Sequence, residues 1–177
     1  AAGGVGLLAS QWSRSIGCNM IGTVSNKKKA KLAKESGCSH VINYKSEDVV
    51  KRVMEITNGQ GVSVVYDGVG NDTFRISLEC LKMRGLFVSF GQSSGMIQDV
   101  NLHKTFSPKS LYYTRPTLMH YNQTREELEN SSKLLFKKIA KKEIKSNIFK
   151  IFDLRDASEA HSVLQSRKSS GSILLKP

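Results

Sequence analysis

The chain opens with "AAGGVGLLASQWSRSIGC" (Ala1–Cys18). Glycines at 3, 4 and 6, followed by Leu7, Leu8, Trp12 and Ile16 at near-helical spacing, read as a tight turn feeding a helix that stops at Gly17. Ala1, Gly3 and Gly6 match G-x-G-x-x-G with alanine in first place. At the second position, Gly3, the missing side chain lets backbone approach a pyrophosphate. At the third, Gly6, it lets the helix lie close to a sheet. Amides around Gly4 and Val5 then face an anion at the positive helix end. Alone, such a triplet is equally a turn before any helix, so the rest of the chain decides.

Outward from that turn the pattern alternates. "NMIGTVS" (Asn19–Ser25) reads as a short strand, and Asn26 as the N-cap of "KKKAKLAKES", which ends at Gly37. "HVINY" (His40–Tyr44) is the next strand, and Ser46 the cap of "EDVVKRVMEIT". "VSVVYDGVG" (Val62–Gly70) is an apolar strand ended by a glycine turn, "NDTFRISLECLKMR" a helix stopping at Gly85, and "LFVSFG" another strand. Connections too long for hairpins, and apolar strands without polar alternation, predict a parallel sheet buried on both faces with helices on each side. After Gly95 comes a long connector, then "LYYTRPTL", a strand cut off by proline. Thr124 and Glu127 form a capping box before a long helix. "NIFKIFDL", a helix with Ala157, Ala160, Val163 and Leu164 on one face, and a strand "SILLKP" complete the chain.

The place where the "NMIGTVS" strand ends discriminates the cofactor. A unit that binds NAD carries an acid there, about twenty residues after the glycines, for the ribose 2′-hydroxyl. Here the place reads "GTVSNKKK". Ser25 and Asn26 donate hydrogen bonds and Lys29 lies one helical turn beyond, a set that binds a 2′-phosphate where an acid would repel it. Lysines at a helix start oppose the helix dipole, which an anion would offset. The reading is NADP(H). Tyr44, "DGVG" (Asp67–Gly70, with Val69) and "FGQSSG" (Phe90–Gly95) also stand at strand ends, where open parallel sheets bind ligands. Each is equally ordinary turn chemistry taken singly.

The 177 residues carry a net charge of +12, with lysines concentrated on helices such as "KKKAKLAKE" and "FKKIAKKEIK". Without aromatics interleaved among them, these runs read as solvated faces ahead of a nucleic-acid groove. No apolar run reaches membrane-spanning length. Cys18, Cys38 and Cys80 and four histidines are scattered, which argues against a metal site and for reduced thiols in the cytoplasm.

Together "AAGGVG", "VINY", "VVYDGVG", "LFVSFGQSSG" and "LYYTRPTL" resemble the NADPH:quinone oxidoreductases, the zeta-crystallin-like branch of the medium-chain dehydrogenase/reductase superfamily, from Ala1 to Pro177. The resemblance implies a Rossmann-like, doubly wound parallel sheet lacking its first strand in this chain. Residues 1–146 would be the NADP(H)-binding domain and 147–177 the last segment of a catalytic domain, in the C-terminal portion of a longer enzyme. It places Gly4 and Val5 at the pyrophosphate, and Ser25, Asn26 and Lys29 at the 2′-phosphate with Tyr44 and Arg167 nearby. Phe90, Gly91, Gln92 and Ser93 would line the nicotinamide end with Pro116, Thr117 and Leu118, and Arg115 would face the quinone. Gly68 departs from the serine common in close relatives. The resemblance also implies no zinc, hydride transfer to a quinone or another electron-poor acceptor, and a homodimer. Reduction of α,β-unsaturated carbonyls and a noncatalytic NADPH- or RNA-binding role stand as alternatives.

Overall fold

The computed structural model describes residues 1–166 and 169–177. In chain order these form α1 (Gly4–Ser15), β1 (Ile21–Val24), α2 (Lys27–Ser36), β2 (His40–Asn43), α3 (Val49–Ile56), β3 (Val62–Asp67), α4 (Phe74–Glu79) and β4 (Leu81–Ser89). There follow α5 (Leu102–Phe106), β5 (Tyr112–Thr114), α6 (Leu118–Tyr121), α7 (Arg125–Ala140), β6 (Ile148–Asp153), α8 (Ala157–Gln165) and β7 (Ser172–Lys176). They fall into two compact units, one of residues 1–47 with 133–177 and one of residues 48–132.

In the first unit β1 and β2 pair in parallel from Ile21↔His40 to Val24↔Asn43, with α2 as the crossover. Ala2, Val24, Ala33 and Cys38 form the core of this half, so the buried face of α2 is small. Small residues let the helix lie close to its strands. Gly6 has the same role in α1, since a Cβ there would stand 2.6 Å from the carbonyl oxygen of Ala1. β6 and β7 form a separate parallel pair with α8 between them, and Gly3 bridges to Gly171 beside it.

In the second unit the strands are again parallel, in the order β3-β4-β5. Phe74 and Leu78 of α4 pack on Leu81 and Phe87 of β4. The Phe87 ring stands edge-on to Phe74 at 5.5 Å and 5.9 Å from Tyr113 of β5. The all-parallel pairing expected from the apolar strands is therefore present in every sheet.

Three local expectations are corrected. Ser46 does not cap α3. Asp48 does, accepting from the Lys51 amide at 3.0 Å, while the Ser46 hydroxyl donates to the Asn43 carbonyl. Asp48 directly precedes the first helical residue, where a short acceptor reaches the third amide. The helix read through "NDTFRISLECLKMR" ends at Glu79, and Leu81 opens β4. Leu78 and Leu81 have helical spacing, yet they pack from two different elements onto one cluster. Between Leu81 and Leu86 the register with β3 slips and Arg84 takes φ 57°, so residues 82–85 bulge out. Burial on both faces is reached over Phe87–Ser89 of β4, which lies between two strands. Among the described residues β3 is paired only on its β4 side, and its Tyr66 is 73% exposed.

Candidate functional site

In the first unit α1 begins at Gly4 with Gly3 as an extended N-cap and no side chain capping it. The Leu7 amide is the one that closes the first turn, on the Gly3 carbonyl at 3.0 Å. The amides of Val5 and Gly6 have no acceptor inside the helix, Gly4 lies beside Gly171 at the Gly3–Gly171 bridge, and a Cβ on Gly3 would meet nothing within 4 Å. A helix start of this kind leaves amides that an anion can meet.

α2 starts differently. The Asn26 carboxamide oxygen accepts from the Lys29 amide at 2.8 Å. With Oδ1 committed to the cap, the Nδ2 group is the end left to meet a ligand. Ser25 precedes it, Lys27 and Lys28 are exposed, and no acid lies in the first turn of α2. Tyr44 follows β2, half exposed, with its amide donating to the Val24 carbonyl at 3.0 Å.

In the second unit, the turns after β3 and β4 are bonded to each other. Phe90 donates its amide to Asp67 (2.9 Å), Ser93 to Gly68 (3.3 Å) and Ser94 to Val69 (2.8 Å). Glycine permits this approach, because a Cβ on Gly91 would stand 2.5 Å from the Gly68 carbonyl oxygen. A Cβ on Gly68 would stand 2.8 Å from the Phe90 ring. The space a side chain at 68 would take is thus filled by the Phe90 ring.

A cavity of about 190 Å³ opens beside these turns, lined by Gly91, Gln92, Met96, Ile97, Tyr113 and Arg115 among others. Arg115 donates from Nη1 to the Ser89 carbonyl at 2.9 Å, which fixes the guanidinium at the cavity wall. One aromatic ring fits such a volume; a whole dinucleotide does not. Thr117 is the extended N-cap of α6, Pro116 precedes it, and Leu118 begins the helix, largely exposed. Arg167 lies outside the described residues.

The sequence reading thus names two groups that the structure assembles separately. Gly3, Gly4, Val5, Ser25, Asn26, Lys29 and Tyr44 stand at helix starts and a strand end of the first unit. Val69 and Phe90–Ser93 form the paired turns of the second, with Arg115 on the adjoining cavity. What it missed is Tyr113, Met96 and Ile97 on the cavity and the buried carboxylate of Asp67. The signal for Asp67 was legible: an Asp-Gly turn with Thr73 and Ser77, four residues apart, where the following helix begins.

Parallel strands joined by helical crossovers, with glycine turns at the strand ends, define an α/β protein of Rossmann-like fold. Residues 4–137 match the family described as "Zinc-binding dehydrogenase", and the chain belongs to that family. It is 50% identical over its whole length to quinone oxidoreductase 1 of Escherichia coli strain K12, covering 55% of that protein. It is 42% identical, again over its whole length, to a 2-haloacrylate reductase of a Burkholderia species, covering 54% of it. The crystal structure of Escherichia coli quinone oxidoreductase complexed with NADPH superposes with a TM-score of 0.96 at 50% identity, over 99% of this chain and 55% of that one. The chain spans about half the length of the curated relatives it matches. Among the described residues no group of three or more His, Cys, Asp or Glu is placed to hold a metal ion. No described helix is long and apolar enough to cross a membrane.

Proposed function

We propose that the full-length protein is an NADPH-dependent quinone oxidoreductase and that this chain holds its cofactor. What supports the reading most is the likeness over 99% of the chain to a quinone oxidoreductase whose structure was solved with NADPH. Bound NADPH supplies the hydride that reduces the acceptor. The chain's own residues bind, orient and shield. Gly3 lets the pyrophosphate approach the backbone, and Gly4 and Val5 present the start of α1 to it. Ser25, the Asn26 Nδ2 group and Lys29 take the 2′-phosphate, with Tyr44 and Arg167 beside the adenosine. Val69, Phe90, Gly91, Gln92, Ser93, Pro116, Thr117 and Leu118 seat the nicotinamide end. Arg115 and the apolar cavity wall receive the flat acceptor ring. On this reading residues 1–146 are the cofactor domain and 147–177 return to the catalytic domain, in a cytoplasmic homodimer.

The test is cofactor oxidation by the full-length enzyme, followed by nicotinamide absorbance with 1,4-benzoquinone as acceptor. Turnover with NADPH at least about tenfold above NADH is expected. No quinone turnover overturns the reading. The likeness to a 2-haloacrylate reductase favours a second reading, reduction of an α,β-unsaturated acid. The same assay with 2-chloroacrylate separates the two by the ratio of kcat/KM values. A protein that turns over neither acceptor but binds RNA with a steep salt dependence would be the noncatalytic alternative.

A further inference from the structure

Asp67, the last residue of β3, is 5% exposed. Its Oδ1 accepts from the Val69 amide at 2.8 Å and the Gly70 amide at 3.0 Å. Its Oδ2 accepts from the Thr73 hydroxyl and the Ser77 hydroxyl, both at 2.7 Å. One oxygen thus grips the turn, and the other grips Ser77 of α4 and the residue preceding that helix. An Asp-Gly turn closes with backbone donors alone. Burying a carboxylate is costly, and here two hydroxyls from beyond the turn are recruited to satisfy it.

The bonds continue toward the cavity. Ser94 donates its hydroxyl to the Val69 carbonyl at 2.9 Å and accepts from the Asp72 amide at 3.1 Å. Its own amide meets the same Val69 carbonyl at 2.8 Å. Two residues earlier in that second turn is Gln92, which lines the cavity with Gly91, Tyr113 and Arg115. An unbroken series of hydrogen bonds therefore runs from α4, through Asp67 and Val69, to the loop that forms the cavity wall.

We propose that Asp67 is the positioning residue for the nicotinamide end of the cofactor. It ties the Gly68–Gly70 turn to α4 and, through Ser94, holds the Gly91–Ser93 backbone at the height the ring needs. The proposal rests on the NADPH reading above. It acts on one half of the cofactor: the adenosine half is assigned to residues of the other unit.

The experiment compares NADPH with 2′,5′-ADP, which carries the adenosine half alone, by titration of the full-length enzyme. Asp67→Ala should weaken NADPH binding by about tenfold and leave 2′,5′-ADP unchanged. It should also blunt the fluorescence change of the bound nicotinamide. Asp67→Asn keeps an acceptor for the two turn amides and an amide for the two hydroxyls, and should restore most of the affinity. Ser94→Ala, at a half-buried position, removes the hydroxyl's bonds to Val69 and Asp72 and weakens the link between the turns, whose backbone bonds remain. It should show the same selective loss at about threefold, which keeps the test valid if Asp67→Ala fails to fold. Equal loss of both ligands, or no loss of NADPH in either variant, overturns the positioning role. A wild type that binds neither ligand overturns the cofactor reading itself, so the two failures are distinguishable.

Discussion

Asn26 caps α2 with one end of its side chain, and the phosphate role proposed for the other end makes a sharp prediction. Its oxygen caps α2 through the Lys29 amide, leaving the amide group for a ligand. Aspartate caps a helix as well as asparagine does. It also suits the positive helix end better. Asn26→Asp should therefore keep α2 intact by circular dichroism while removing a donor and adding a charge that repels a phosphate. NADPH binding should weaken by about 1–3 kcal/mol, the scale of a charge-assisted bond, with NADH unchanged or tightened. Equal loss of both cofactors would remove Asn26 from the phosphate site. A second residue-scale prediction concerns Cys80. Burial raises its thiol pKa to about 11 from 9.0, with Glu79 adding to the effect. The folded form then keeps a proton that the unfolded chain gives up, so this thiol favours the folded state fully below about pH 9 and loses that contribution toward pH 11. Cys80 should resist a thiol reagent at pH 8 in the folded protein, whereas exposed Cys18 reacts at once. Rapid labelling of Cys80 in the native state would contradict that burial.

Among the elements, α1 is tied to the segment at Lys145, far along the chain, through the side chain of Gln11. Gln11 is buried; its Nε2 donates to the Lys145 carbonyl at 3.0 Å and its Oε1 accepts from the Lys145 amide at 2.8 Å. Gln11→Leu preserves size and helix propensity but strands both backbone groups. Both bonds are part-buried, so a loss of about 1 kcal/mol for each is expected, read as a lower urea midpoint with unchanged slope. Faster hydrogen exchange at the Lys145 amide should accompany it. This tie was not legible in the sequence, because glutamine on a helix carries no sign of a partner more than a hundred residues away. Local chemistry was legible. Asn26 caps α2, and Thr124 with Glu127 makes both bonds of a capping box at 3.2 and 2.9 Å. The Thr124 amide and hydroxyl, both donating to Oε2, hold the Glu127 carboxyl below its ordinary pKa. The reading failed where apolar spacing was shared by two elements, as at Leu78 and Leu81, and where one of two adjacent polar residues, Ser46 or Asp48, had to be chosen as a cap. The candidate site divides the same way. Glycine turns and the missing acid were visible, whereas the cavity beside Tyr113 depends on β5 lying against β4.

For the whole molecule, the open question is assembly, and β5 carries the argument. Among the described residues it pairs only with β4, leaving the other edge of the β3-β4-β5 sheet without a partner strand. Tyr112 is 62% exposed and Tyr113 49% exposed on that strand. An apolar edge of this kind invites another strand unless something covers it. A second copy is the partner that makes a closed assembly: a two-fold axis beside β5 would pair it antiparallel with itself and join two three-stranded sheets into one. Tyrosines at the centre of such a contact supply large area at low entropic cost. The full-length wild type should sediment as a dimer at micromolar concentration. Tyr112→Pro removes a ladder donor and should shift it to monomer. Tyr112→Lys keeps the donor and places like charges near each other across the axis, so it should weaken the dimer without unfolding the monomer. Circular dichroism on both variants separates lost pairing from lost fold. A wild type that remains monomeric over that concentration range would remove the edge of β5 from the assembly and leave the exposed tyrosines to another role.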